Sequence, residues 1–93
     1  MEDRLTVVEA RRRIRRAVSE GIVTYAVPHA IRRLEQRNIC MVDCENVLRA
    51  GVVEEPEWSG RSWRYRVRTQ RFVVVVEFLS ENELFVVTAW RTS

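Results

Sequence analysis

Two periods divide the chain. Over residues 6–51 apolar side chains recur at intervals of three and four, and from residue 52 onward they alternate or run continuously, so the first half reads as helices and the second as strands. Thr6-Val7-Val8-Glu9 fits a capping box, in which the Thr6 hydroxyl and the Glu9 carboxylate each satisfy a free backbone N–H. The helix it opens has one apolar face, Val7, Ala10, Ile14, Ala17 and Val18, and Gly21 reads as the left-handed residue that closes it. Residues 22–27, IVTYAV, are β-branched and aromatic, a small strand or an extended connector. Pro28 fits the first turn of a second helix that runs to about Arg37, with Asn38 suited to a left-handed exit. Ile39, Met41 or Val42, Cys44, Val47 and Leu48 form the apolar face of a third helix, and Gly51 ends it.

Four strands fit the remainder. Residues 52–57 are short and carry Pro56, which cannot donate to a ladder and so belongs at an edge. Ser59-Gly60 turns the chain. Residues 61–68 alternate, with Trp63, Tyr65 and Val67 on one face and Arg64, Arg66 and Arg68 on the other. Thr69-Gln70 is a poor match for the primed hairpin turns, which predicts a longer or bulged loop. Residues 71–79, RFVVVVEFL, read as a central strand covered on both faces except at Glu77, and residues 84–90, LFVVTAW, as the last strand. The expected fold is α+β: two or three N-terminal helices, within about residues 6–51, packed on one side of a curved antiparallel sheet of four to five strands over about residues 52–91.

Composition narrows the class. A chain of 93 residues buries only about 60 to 65 per cent of its unfolded surface, which makes residues 1–93 a single domain with one core. No apolar run approaches the roughly 20 residues of a membrane span, and the N-terminus has acids and then arginines where a secretion signal needs an apolar segment, so the expected compartment is the cytoplasm. A net charge of +3 favours an acidic partner. All 16 basic residues are arginine, which points to base composition of the source genome and weakens any single arginine as a signal. Cys40 and Cys44 lie one helical turn apart and, with a lone histidine elsewhere, make half a metal site; they read as reduced thiols, with no metal and no cofactor expected.

The candidate chemistry sits in residues 28–37, PHAIRRLEQR. His29, Arg33 and Arg37 are four apart and form a polar ridge beside Ala30, Ile31 and Leu34. An imidazole, which titrates near neutrality, beside guanidiniums that fork onto phosphate oxygens is what metal-free RNA cleavage needs; the same letters also suit a solvated helix face. Arg11, Arg12, Arg13, Arg15 and Arg16 point outward from the first helix, toward phosphates, an acidic partner or solvent alone. Glu77 is either a general base in an apolar run or a solvent-facing strand residue.

The order of motifs, P-H-A-x-x-R-L-x-x-R-x-I, a short helix ending L-R-x-G, then W-R-Y-R-V-R, V-V-V-V-E and V-V-T-A-W-R, resembles a family of small bacterial domains of unknown function over about residues 27–91. That family is placed with the barnase, EndoU, colicin and RelE fold of ribonuclease toxins. The resemblance implies a toxin of a toxin–antitoxin pair, similar to the MqsR and RelE classes, that cleaves mRNA without a metal and is neutralised by an antitoxin bearing a zinc-binding segment or a helix-turn-helix. Carried over by position, the family's histidine falls on His29, its helix arginine on Arg33, its strand aromatic on Tyr65 and its late strand hydroxyl on Thr88. Asn38 replaces a glycine common at that helix exit.

In such a reaction the ribose 2′-hydroxyl attacks phosphorus, so one group takes a proton and others stabilise charge on the phosphoryl oxygens. His29 is the proton carrier, and Arg33, with Arg37 behind it and Arg64, Arg66 or Arg68 from the cationic strand face, holds the phosphate. Tyr65 or Trp63 stacks a splayed base. Tyr65 and Arg64 point to opposite faces of a regular strand, so both line one cleft only where a bulge or a strand end re-aims one of them. The alternative is a non-catalytic RNA-binding or protein-binding module of the same fold.

Overall fold

Residues 4–92 are described by the computed structural model, and among them there are three helices and six strands. Helix α1 (Val7–Glu20) opens at Thr6, whose Oγ1 accepts the Glu9 N–H at 3.1 Å and donates to Glu9 Oε1 at 3.0 Å, so the box forms with its carboxylate on the hydroxyl and not on the cap's own N–H. Ala10, Ile14 and Ala17 are buried and the arginine face is turned away. Gly21 is not left-handed: its φ is −108°, and a Cβ there would lie 2.1 Å from the Asn82 carbonyl oxygen. The residue is small because the turn before the last strand lies against it.

Strand β1 (Ile22–Tyr25) does form, and it runs parallel to the last strand. Helix α2 (His29–Gln36) follows and exits through Asn38, which has the expected positive φ of 55°. Helix α3 (Met41–Ala50) starts where Cys40 N–H donates to Asp43 Oδ2 at 2.9 Å, and it buries Cys44, Val47 and Leu48 while Met41 and Val42 stay exposed.

The anticipated first strand of the sheet is two short ones, β2 (Val52–Val53) and β3 (Glu57–Trp58), separated around Pro56. Both pair with β4 (Trp63–Arg68), β2 at Val67 and Arg68 and β3 at Trp63 and Arg64. A loop closed by Thr69 N–H to Phe72 O leads into β5 (Phe72–Ser80), and an Asn82-containing turn leads into β6 (Glu83–Arg91). Sheet order is β1-β6-β5-β4-β2, mostly antiparallel, with β5 central and β3 alongside β4. The α+β expectation holds, with the parallel β1 strand and the divided edge bringing the sheet to six strands.

Helices α1 and α3 cover one face of the sheet, and the core lies between. Alternation decides which strand residues reach it: Tyr65 and Val67 of β4, Val74, Val76 and Phe78 of β5, and Leu84, Val86 and Ala89 of β6. No helix covers the outer face over Val73 and Val75, yet both are buried. Their register partners there are Arg66 and Arg68 on one side and Thr88 and Trp90 on the other, and the arginine stems and the indole are large enough to cover apolar neighbours.

A trough on the open face of the sheet

Strand β1 pairs with β6 only as far as Val86. Ala26 N–H makes the last bond, to Val86 O at 2.9 Å, after which the chain turns at Pro28 and α2 occupies the edge that β1 has left. Three arginine bonds fasten it there. Arg37 Nη1 donates to Ala89 O at 2.6 Å, Arg91 Nε to Arg37 O at 3.1 Å and Arg91 Nη2 to Asn38 O at 2.7 Å. With Ala30 and Leu34 buried inward, the ridge of His29, Arg33 and Arg37 faces residues 87–90 of β6.

Beta-six is irregular at this point. Val75 pairs with Thr88 while Val76 pairs with Val86, so Val87 is an extra residue without a partner. The bulge lets Val86 and Ala89, three apart, both point into the core, and it turns Val87, Thr88 and Trp90 toward the ridge. Together these six side chains line a depression of 370 Å3.

A second depression of 350 Å3 adjoins it and shares Thr88 and Trp90. Its far wall is β3 and β4, with Glu57, Trp58, Arg64 and Arg66, and Val75 lies in its floor. The two make one trough across the open face, bounded by α2 on one side and by β3 on the other.

Charge is distributed unevenly along it. Each β4 arginine is held by a carboxylate: Arg64 Nε lies 3.0 Å from Glu77 Oε2, Arg66 Nη2 3.6 Å from Glu57 Oε1, and Arg68 Nε 2.8 Å from Glu54 Oε2. Glu77 Oε2 also accepts from Ser62 Oγ at 2.8 Å, so it ties β5 to the β3–β4 turn. The Arg66 guanidinium stands 5.8 Å from the centroid of the Trp90 ring. On the α2 wall, His29 and Arg33 are exposed and their side chains have no hydrogen-bond or ion-pair partner among the described residues. The positive charge of the trough that no carboxylate neutralises is therefore on the helix, at Arg33 and at Arg37, which donates only to a backbone carbonyl.

Of the anticipated site residues, His29, Arg33, Arg37 and Thr88 are brought together, and Arg64 and Arg66 line the adjoining lobe. Three others are not in the trough. Tyr65 is 1% exposed on the opposite face, where its hydroxyl accepts the Leu5 N–H at 2.9 Å and its ring meets Phe78 edge-on; burial pushes the phenol up from its ordinary value. No bulge re-aims β4, so the alternation that turns Arg64 and Arg66 outward turns Tyr65 into the core. Trp63 packs against that same core, with the Trp58 ring 5.3 Å away and Arg4 over it. Arg68 shares the outer face with Arg66, but it lies beyond the trough, beside β2.

Trp90 and Trp58 are the residues that the sequence reading passed over. Trp90 was within reach, since it follows Thr88 by two in a strand and so shares its face. Trp58 was not, because its place depends on how the chain restarts pairing after Pro56. Arg12, Arg13 and Arg16 of α1 line a smaller depression of 220 Å3 with Glu9 and Glu81, away from the trough.

Cys40 is exposed and Cys44 buried, and burial first, then Asp43 and Glu45, pushes the Cys44 thiol up to about 11. Among the described residues no three of His, Cys, Asp and Glu come together as metal ligands, and no helix is long and apolar enough to cross a membrane.

The profile of a family described as "Domain of unknown function (DUF4258)" matches residues 27–91. That stretch contains every residue of the trough and leaves out α1. No curated protein and no solved structure matches the chain.

Proposed function

The chain belongs to the family of domains of unknown function DUF4258, and from the chemistry of its trough we propose that it is a metal-independent endoribonuclease. The observation that carries this reading is that one open depression holds the imidazole of His29, the unpaired guanidinium of Arg33 and the hydroxyl of Thr88. A phosphodiester laid against α2 meets a proton acceptor, a fixed positive charge and a hydrogen-bond donor at once.

In the proposed reaction neutral His29 takes the proton of the ribose 2′-hydroxyl as that oxygen bonds to phosphorus. The bond from phosphorus to the 5′-oxygen breaks, and the departing oxygen receives a proton from water. The products are a 2′,3′-cyclic phosphate and a 5′-hydroxyl. Arg33 stabilises the charge gathering on the phosphoryl oxygens, and Thr88 donates to one of them. Arg37 contributes charge but spends one N–H on Ala89, so its first duty is to hold α2 in place.

The same reading extends to context: a cytoplasmic, toxin-like enzyme of the RelE and MqsR kind acting on mRNA, with an antitoxin that blocks the trough. It also gives the fold as a variant of the barnase and RelE type, a helix-backed sheet whose uncovered face does the chemistry.

A second reading is a non-catalytic RNA-binding module. It is favoured by the pairing of Arg64 with Glu77 and Arg66 with Glu57, which leaves His29 as the one histidine among few titratable groups in the trough. Purified protein incubated with single-stranded RNA and chelator separates the two. Cleavage gives fragments ending in cyclic phosphate, at least about 100-fold fewer with His29→Ala whose circular dichroism is unchanged. RNA that is bound but stays intact with the wild-type protein selects the binding module.

A further inference from the structure

We propose that the trough accepts single-stranded RNA as two successive nucleotides, with the Trp90 indole as the stacking platform between them. The inference rests on the RNA reading above and names the form of RNA that the site takes. It moves base stacking from Tyr65 and Trp63, which pack on the core face, to Trp90, which lines both lobes.

Three features of the trough converge on this. Trp90 lines both lobes, so a chain that follows the trough from α2 to β3 passes along its ring. Each lobe, at 370 and 350 Å3, is near the lower end of the roughly 300 to 1,000 Å3 usual for small-ligand sites, room for one nucleotide and not for a helix. The strand wall is otherwise covered by ion pairs, and Trp58 at the far end is engaged edge-on with Trp63, so the half-buried Trp90 ring is the aromatic surface common to both lobes.

The charges fit the same path. A phosphate at His29 and Arg33 places the base that follows it over the adjoining lobe, where the Arg66 guanidinium lies over one face of the Trp90 ring and leaves the other for a base. Because Arg66 is already paired with Glu57, the second lobe offers the next phosphate little net charge, and its hold on RNA comes from aromatic faces. A duplex cannot use those faces. Its bases are stacked on one another and its deep groove is too narrow for side chains, whereas splayed single-stranded bases stack readily on indole.

The test uses the full chain and a 2′-O-methylated hexanucleotide, which binds but has no free 2′-hydroxyl to attack phosphorus, offered single-stranded or annealed to its complement. Fluorescence anisotropy of the labelled strand gives the affinity. Trp90→Ala should weaken single-strand binding about 5- to 150-fold, Trp90→Phe should restore most of it, and the duplex should bind the wild-type protein more weakly than the single strand. Equal affinity for strand and duplex, or single-strand binding unmoved by Trp90→Ala, overturns the inference. Cleavage of unmodified RNA is scored separately: cleavage without tryptophan-dependent binding removes the stacking subsites and leaves the nuclease, and tryptophan-dependent binding without cleavage does the reverse.

Discussion

The two faces of the sheet are built from the same strands, yet they have opposite contents. The face under α1 and α3 is sealed and apolar, with Tyr65 as the largest side chain fully buried in it. The other face has arginines tied to carboxylates, the Trp90 indole, a bulge and an unpaired helical guanidinium. One residue of displacement along β4 separates the two, since Tyr65 lies between Arg64 and Arg66. A side chain's usefulness to chemistry in this fold is thus set by strand parity before residue type.

Substitutions on each face should read out in different quantities. Arg33→Ala, on the open face, is expected to lower RNA cleavage about 100-fold or more while the unfolding midpoint in urea stays put. An equal loss of stability would mean that Arg33 is holding the fold. Tyr65→Phe should do the opposite: the Leu5 N–H loses its buried acceptor, the protein loses about 1 to 3 kcal/mol in urea unfolding, and cleavage per folded molecule is unchanged. A loss of cleavage at constant stability would return Tyr65 to the site and break the comparison.

Arg68→Ala removes an exposed pair with Glu54 outside the trough, so both its stability cost, under about 1 kcal/mol, and its effect on RNA should be small. Smallest of all is the thiol contrast. Burial that holds Cys44 near 11 leaves it almost wholly protonated at neutral pH, so iodoacetamide should label Cys40 and spare Cys44 until denaturant is added.

Much of this was legible from periodicity. The helices, the edge position forced by Pro56 and the alternation of β4 follow from local pattern, and the ridge His29, Arg33 and Arg37 follows from helical spacing. What was hidden depends on contacts distant in sequence. The parallel pairing of β1 with β6 has no local signature, and without it α2 has no edge to occupy. The bulge at Val87 sits in an unbroken apolar run, where no residue type marks a change of face. Gly21 was legible as a necessary glycine but for the wrong reason, because the carbonyl it makes room for is 61 residues away, at Asn82. Tyr65 was misplaced where family position was allowed to outweigh alternation.

The central claim is that RNA meets the open face and only that face. Amide chemical shifts of the labelled protein, followed as the 2′-O-methylated single strand is added, test it directly. The account predicts movement at His29, Arg33, Thr88 and Trp90, with Leu5, Ile14 and Tyr65 still; shifts confined to the arginines of α1 would contradict it.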